Sequence, residues 1–263
     1  MVTLILDTNI WIYLAKGEHP KVLQKLIEKH NNKEIQFLIS SIQIEEWDRN
    51  KIGIIDQIKE AIIFQIQNAQ TISGYLDGDE KKLFNKILSE FKNKKESILN
   101  AADDRYKIIE DLIKNKSIIA DVTSAEKIEV SNWALQKKAP FHRNSNSYAD
   151  ALILLSTSNY IQNNSLHKSL SFGETDKIII SDSVFITYNS DDFSLGIKGL
   201  EKDIVHPDLK PIFDKTMMRF ERNIGKILDI SEELEAEIAS YWGYIDDLID
   251  SHIEWEAEIM RGK

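Results

Sequence analysis

The 263-residue sequence contains no cysteine, four prolines, ten glycines and no long hydrophobic run. Without cysteine the chain forms neither disulfides nor thiolate zinc sites, and any metal ion must be held by oxygen or imidazole ligands. The longest apolar runs, at 61–64 and 151–155, are too short to span a bilayer. The first apolar run has no basic region before it and is broken by Asp7. We therefore expect no secretory signal, no membrane partner and a cytoplasmic protein.

The formal net charge of −10 is distributed very unevenly along the chain. Residues 229–263 contain eleven acids and two bases, so they carry −9 and leave only −1 for residues 1–228. Two stretches of this nearly neutral body are basic: 81–95 has six lysines and one acid, and 130–149 has three bases and no acid. For the first, a solvated helix face is the simpler explanation. For the second, a solvated face and contact with a nucleic acid both stay open.

Apolar residues recur in a pattern of strands that alternate with helices, which predicts an α/β fold with a mostly parallel sheet covered on both faces. Residues 54–116 have helical spacing and predict two or three helices inserted as a cap, whereas 163–176 predicts a polar loop. The predicted strands are 2–6, 37–40, 118–122, one or two within 178–187 and a short one near Ile204. The predicted helices are 10–16, 22–29, one that starts in the segment SIQIEEWDRNK, 124–137 and 147–160.

The acidic C-terminal segment predicts one amphipathic helix. Its apolar face must pack against the rest of the chain, a second copy or a protein partner. The residues that mark this face are Leu234, Ile238, Tyr241, Ile245, Leu248 and Ile259.

Four acids stand at comparable places in the predicted fold. Asp7 ends the first strand, Glu46 follows the second, Asp150 lies in the first turn of a helix, and Asp192 follows a later strand. The carboxyl ends of parallel strands share one edge of the sheet, so these side chains are expected to converge there. Converging carboxylates repel one another unless a cation neutralises them, and oxygen ligands favour Mg²⁺ or Mn²⁺ over zinc. The six histidines show no short metal-ligand spacing.

Each of these acids also has a purely structural explanation. Asp7 and Asp150 are suited to helix N-termini, Glu46 to the surface beside Trp47, and Asp192 to a turn. With 43 acids in the chain, a single placement of this kind decides nothing. The placement of all four at consecutive strand ends is what favours a shared site.

The segments LILDTNIWIYL, SSIQIEEW, SYADALIL and FITYNSDDF, in that order, resemble the PIN-domain nucleases. More narrowly, PFHRNSNSYADALI, NSDDF and HPDL at 206–209 are similar to a longer, poorly characterised PIN-like branch. The resemblance covers roughly residues 2–214, and four weak motifs in the correct order make it fairly specific. It implies a three-layer PIN-like domain over 1–214, with the helical insertion, and a helical extension over 215–263.

The resemblance implies a metal-dependent endoribonuclease that uses Mg²⁺ or Mn²⁺ and leaves 5′-phosphate and 3′-hydroxyl ends. The metal ligands and catalytic residues would be Asp7, Glu46, Asp150 and Asp192, with Glu45 facing away. The supporting residues would be Thr8, Asn9, Ser41, Asn189 and Asp191. The candidates for substrate contact, in the acid-free stretch just before the third motif, are Lys137, Lys138, His142 and Arg143.

The last motif departs from the family pattern, because Ser190 stands where a further acid often lies. Occupancy by a second metal ion is therefore in doubt, and Asp191 and Asn189 are the residues that would compensate in part.

Two other functions stay open at this point: a PIN-like scaffold that binds without turnover, and a structure-selective DNA nuclease. By analogy alone, host defence or RNA processing suits this length better than the shorter PIN toxins, which a protein partner holds in check.

Overall fold

The core of the protein is a five-stranded sheet in which every pair of neighbours is parallel, as the computed structural model shows. Its strands follow the order β3-β2-β1-β6-β7. They are β1 (Val2–Leu6), β2 (Ile35–Ser40), β3 (Ile118–Ala120), β6 (Ser183–Ile186) and β7 (Arg219–Glu221). A separate antiparallel pair is formed by β4 (His167–Phe172) and β5 (Asp176–Ser181). The structure describes residues 1–17, 19–143, 147–164, 167–172, 176–181, 183–196 and 199–228.

Successive side chains of the central strands point to opposite faces of the sheet, so an almost wholly apolar strand supplies two cores. On β1, Leu4 and Leu6 belong to one core and Ile5 to the other, and all three are fully buried. On β6, Phe185 packs on the second face between its neighbours, which face the first. Helices cover both faces, and the predicted α/β three-layer fold is confirmed.

The helices cover the two faces in separate groups. The first face is packed by α1, α2, α3, α5 and α10, and the second mainly by α7 and α9. In chain order they are α1 (Thr8–Lys16), α2 (Pro20–Asn31), α3 (Ser41–Ser73), α4 (Gly78–Asn93), α5 (Lys95–Asn115), α6 (Ser124–Leu135), α7 (Tyr148–Asn163), α8 (Ser190–Phe193), α9 (Lys210–Thr216) and α10 (Ile224–Leu228). Among the residues described, none of these helices is long and apolar enough to cross a membrane.

The predicted helical insertion is present, but its first helix is continuous with the helix that begins directly after β2. Helix α3 runs for 33 residues without interruption, and α4 and α5 return the chain to β3. The insertion is anchored by Trp47 of α3, which is fully buried and stacks on Tyr106 of α5 with ring centroids 4.7 Å apart. Arg105 of α5 also donates hydrogen bonds to the carbonyls of Ala15 and Lys16, at 2.9 and 3.2 Å.

Three elements differ from the sequence prediction. The polar loop predicted at 163–176 contains β4, whose sequence HKSLSF has only two apolar residues and which therefore gave no apolar signal. The short strand predicted near Ile204 is reduced to an isolated bridge between Ser194 and Val205. The edge strand next to β6 is β7, whose sequence RFE is too short and polar to be recognised as a strand.

The division expected between residues 214 and 215 falls inside α9. Beyond it, β7 pairs with β6, and Ile224 and Leu228 of α10 are buried in the same core as β1. Most of the predicted helical extension, including the acidic amphipathic helix, lies outside the described residues.

Replacement of Gly17 by alanine should destabilise the fold. Gly17 has a φ of +84°, and an added Cβ would lie 2.5 Å from the Arg105 guanidinium, displacing it from the end of α1. We expect a loss of about 1–3 kcal/mol in the free energy of unfolding, measured with denaturant. In an Arg105→Ala background the same change should cost less, because only the φ penalty is left. Equal costs in both backgrounds would show that the guanidinium imposes no constraint on Gly17.

Candidate active site

Asp7 is the residue that directly follows β1, and the sheet fixes its position. Its backbone N–H donates to the carbonyl of Ile186, at 2.9 Å, and so extends the pairing of β1 with β6 by one residue. The side chain is only 1% exposed, and its Oδ2 accepts a hydrogen bond of 2.8 Å from the Thr187 hydroxyl. Among the described residues, Asp7 Oδ1 is buried and accepts no hydrogen bond of ordinary geometry. The backbone N–H groups of Thr8 and Asn9 still act on the carboxyl and lower its pKa in part.

Glu46 reaches the same edge of the sheet from the second turn of α3. The start of that helix is fixed by Gln43, which accepts from the backbone N–H of Ser40 and donates to the carbonyl of Leu6 at 2.7 Å. Glu46 Oε2 accepts a hydrogen bond of 2.7 Å from the hydroxyl of Thr8. The neighbouring Glu45 is exposed, in agreement with the expectation that it faces away.

Asp150 and Asp192 approach from the opposite side of the pocket. Asp150 lies in the first turn of α7, and Asp192 lies in the short helix α8 and is 4% exposed. The hydroxyl of Ser147, which precedes α7, donates to Asp192 Oδ2 at 2.6 Å. The side-chain amide of Asn189 donates to Oδ2 of both acids, at 2.9 Å to Asp192 and 3.3 Å to Asp150. Four separate elements thus present one carboxylate each.

All four carboxylates line one cavity of about 290 Å³. The described residues of its lining are mostly polar and include no lysine, arginine or histidine. Arg49, outside the lining, acts on Glu46 and lowers its pKa in part. The lining consists of Asp7, Thr8, Asn9, Ile12, Glu46, Asn50, Ser147, Asp150, Asn189 and Asp192.

The site raises the pKa of three of its acids. Burial is the main cause for Asp7, and with the charge of Glu46 it raises the pKa of the carboxyl from 3.8 to about 6, against the hydrogen bond from Thr187. Burial also raises the pKa of Glu46. The pKa of Asp150 is raised well above its ordinary value, first by burial and then by the charges of Asp7, Glu46 and Asp192. These carboxylates resist joint ionisation, as converging acids must without a cation.

The donor set fits a hard divalent ion in its chemistry. It offers oxygen ligands, it includes Oδ1 of Asp7, which accepts no hydrogen bond of ordinary geometry from the described residues, and the charges of its acids oppose one another. Within the described ranges, no group of three or more Asp, Glu or His side chains has an arrangement that could hold a metal. Each acid is held instead by a neutral donor, namely Thr187, Thr8, Asn189 or Ser147.

The supporting residues predicted from the sequence separate into two groups. Thr8, Asn9 and Asn189 line the pocket. Ser41 lies outside the lining and accepts from the backbone N–H of Val122, so it joins α3 to the segment after β3. Asp191 also lies outside it, with its carboxylate 3.8 Å from Arg143. Of the two residues proposed to compensate for the absent acid, Asn189 lines the pocket and Asp191 does not.

The four candidates for substrate contact lie outside the lining of the pocket. Lys137 and Lys138 are exposed in the turn after α6, and Arg143 is near Asp191. His142 is half-buried, and its ring lies 4.6 Å from the ring of His206. Burial and the charges of His206 and Arg143 lower the pKa of His142, which favours its neutral form. Contact of these residues with a substrate stays a prediction.

Sequence analysis missed four residues of the lining or its support: Thr187, Ser147, Asn50 and Ile12. Ser147 had a recognisable signal, because a serine three residues before an acid is typical of a helix N-terminus. Asn50 lies one helical turn after Glu46 and so shares its face of α3. Thr187 depends on the adjacency of β1 and β6, which are 180 residues apart and whose pairing no local pattern indicates.

The structure is a three-layer α/β fold with an acidic pocket at the carboxyl edge of its parallel sheet. A family model of the PIN domain matches residues 4–193, and the chain belongs to the PIN-domain family. PIN domains are generally nucleases and typically use divalent metal ions, as the sequence resemblance implied. Comparisons with curated proteins and with solved structures gave no match.

The raised pKa of Asp7 predicts that the metal-free protein loses stability as the pH rises. The folded chain keeps a proton on Asp7 up to about pH 6, whereas the unfolded chain releases it near 3.8, so the free energy of unfolding falls between these values. The full loss is on the order of 3 kcal/mol for two pKa units, and about half of it falls above pH 5. Thermal unfolding in a chelator should therefore give a lower melting temperature at pH 7.5 than at pH 5.

Asp7→Asn is the control for this prediction, because it keeps the shape of the side chain and removes its ionisation. This variant should be more stable than the parent at pH 7.5 and should show a flatter pH profile. If the parent and the variant showed the same change in stability between pH 5 and 7.5, the raised pKa assigned to Asp7 would be contradicted.

Proposed function

We propose that this protein is an endoribonuclease that hydrolyses RNA phosphodiester bonds with Mg²⁺ or Mn²⁺ bound to Asp7, Glu46, Asp150 and Asp192. The products would carry 5′-phosphate and 3′-hydroxyl ends, as the resemblance to the PIN nucleases implies. The proposal extends the family membership, which covers a nuclease-type domain, to a particular substrate and a particular set of ligands.

The observation that carries the proposal is the arrangement of four carboxylates around one pocket without a cationic side chain among the described lining residues. A structural role for an acid normally brings a donor for each buried oxygen or an opposite charge. Asp7 Oδ1 accepts no hydrogen bond of ordinary geometry in the described part of the chain. The raised pKa of Asp7 and that of Asp150 express first the cost of burying these carboxylates and then the charges of their acidic neighbours.

The residues of this chain would orient the ligands and leave one side of the pocket open to the substrate. Thr187 holds Asp7 and Thr8 holds Glu46, each through a hydroxyl that donates to one oxygen and leaves the other available. A divalent ion bound there lowers the pKa of a water molecule and polarises a phosphoryl oxygen, both of which serve phosphodiester hydrolysis.

The charge of the pocket also makes substrate binding depend on the ion. Four carboxylates at one edge of the sheet repel the phosphates of RNA until a cation neutralises part of their charge. The exposed bases Lys137 and Lys138 of the acid-free stretch would then guide the backbone of a single-stranded or looped RNA.

The adjacent pair Glu45 and Glu46 provides a matched test of this proposal. Glu46→Gln removes the charge of a residue that lines the pocket, and we expect it to lower the rate of RNA cleavage by about 100-fold or more. Asp7→Asn and Asp150→Asn should do the same. Glu45→Gln removes the same charge from an exposed side chain and should leave the rate unchanged. The measurement is cleavage of an end-labelled single-stranded RNA at several Mn²⁺ concentrations.

Three outcomes distinguish the proposal from its alternatives. Cleavage of DNA and not of RNA of the same sequence would replace the ribonuclease with a DNA nuclease. Binding of RNA without cleavage at every metal concentration would make the protein a scaffold. Equal losses for Glu45→Gln and Glu46→Gln would remove the pocket from the mechanism.

Deletion of residues 229–263 should raise the rate of cleavage. These residues carry −9 and would compete with RNA for basic surfaces, whereas the last described helix, α10, closes the core before them. Glutamine replacements of the acids at 232, 233, 235 and 237 should raise the rate in the same way while the chain length is kept. Loss of folding on deletion would show that the segment packs on the body. A stable truncated chain of unchanged activity would contradict both roles.

A further inference from the structure

The side-chain amide of Asn189 lies between two carboxylates of the pocket. Its Nδ2 donates to Asp192 Oδ2 at 2.9 Å and to Asp150 Oδ2 at 3.3 Å. The amide is held by its own backbone, because the N–H of Asn189 donates to the Thr187 hydroxyl at 2.9 Å. Thr187 in turn donates to Asp7. One short connection after β6 therefore supplies donors to both sides of the site.

The chemistry of the amide fixes its orientation. An amide has two N–H donors on nitrogen and acceptors on oxygen, and carboxylate oxygens are acceptors. If the amide were reversed, its carbonyl oxygen would face both acids and add repulsion. The NH₂ group therefore lies between the two acids, and its hydrogens bring a partial positive charge between their Oδ2 atoms.

The two sides of the pocket differ in how well their oxygens are satisfied. On the side of Asp192, Oδ2 accepts from both Ser147 and Asn189, at 2.6 and 2.9 Å. On the side of Asp7, Oδ1 is buried and accepts from none of the described residues. A cation therefore gains most on the Asp7 side, where it displaces no hydrogen bond.

We propose that the Asn189 amide takes the place of a second divalent ion between Asp150 and Asp192, so that this pocket binds one ion, on the side of Asp7. The inference rests on the proposed function and specifies the stoichiometry of its metal site. Paired ions in two-metal sites lie about 3.5–4 Å apart, and each needs oxygens of its own. Here the amide donates to one oxygen of each of the two acids on that side of the pocket.

The test counts the Mn²⁺ ions bound to the full chain. Titration followed by calorimetry and by the electron paramagnetic resonance of free Mn²⁺ should give one ion per chain. Asn189→Asp replaces the amide with a carboxylate of nearly the same shape and should give two ions, with a magnetic coupling between them that the parent lacks. Asn164→Asp makes the same chemical change on an exposed residue at the end of α7, outside the pocket lining, and should leave the count at one.

The outcomes separate this inference from the proposed function. Two coupled ions in the parent would overturn the inference and leave the ribonuclease proposal standing. A count of one in a folded Asn189→Asp variant would also overturn it, because the amide would not be what limits occupancy. If Asn189→Asp fails to fold, Asn189→Ala removes the amide without an added charge. This variant should then bind two ions, and a count of one in it would overturn the inference. No bound Mn²⁺ and no cleavage in the parent would overturn both proposals.

Discussion

The burial of four converging carboxylates in one pocket is the constraint on which the rest of this site depends. Asp7, Glu46, Asp150 and Asp192 share a pocket without a cationic side chain in the lining that the structure describes, and the cost is visible in the raised pKa of Asp7 and that of Asp150. Hydroxyls and one amide hold the acids in place, so their charges are oriented but not cancelled. Such a site is poised to gain stability from a bound cation, because the ion removes the repulsion that folding has imposed.

The parallel sheet is what brings these charges together. β1 and β6 end side by side, and α3 begins directly after β2 at the same edge. Residues far apart in sequence therefore meet where the strands stop. The strands themselves are apolar on both faces and packed under helices, which leaves their carboxyl ends as the place where polar side chains can reach solvent. The fold thus fixes the location of the site, and the residues after each strand fix its chemistry.

The sequence was sufficient for the features that have a local signal. Asp7, Glu46, Asp150 and Asp192 each follow an apolar strand or open a helix, and the structure places all four around one pocket, although their role as ligands stays a prediction. Thr187 was missed because its importance arises from the contact between β1 and β6, which depends on the order of strands. β7 was missed because an edge strand of three residues needs little apolar surface. β4 was missed because it forms a strand through backbone pairing with β5, which its mostly polar composition does not indicate.

Helix α3 has a further consequence for the evolution of this chain. It begins at the pocket, where Gln43 and Trp47 fix its first turns, and its 33 residues carry it about 50 Å away. The distal half can therefore be lengthened, shortened or given a new surface without a change in the register of Glu46. The pocket and the distal part of the insertion lie at opposite ends of one continuous helix, so substitutions at the distal end leave the position of Glu46 unchanged.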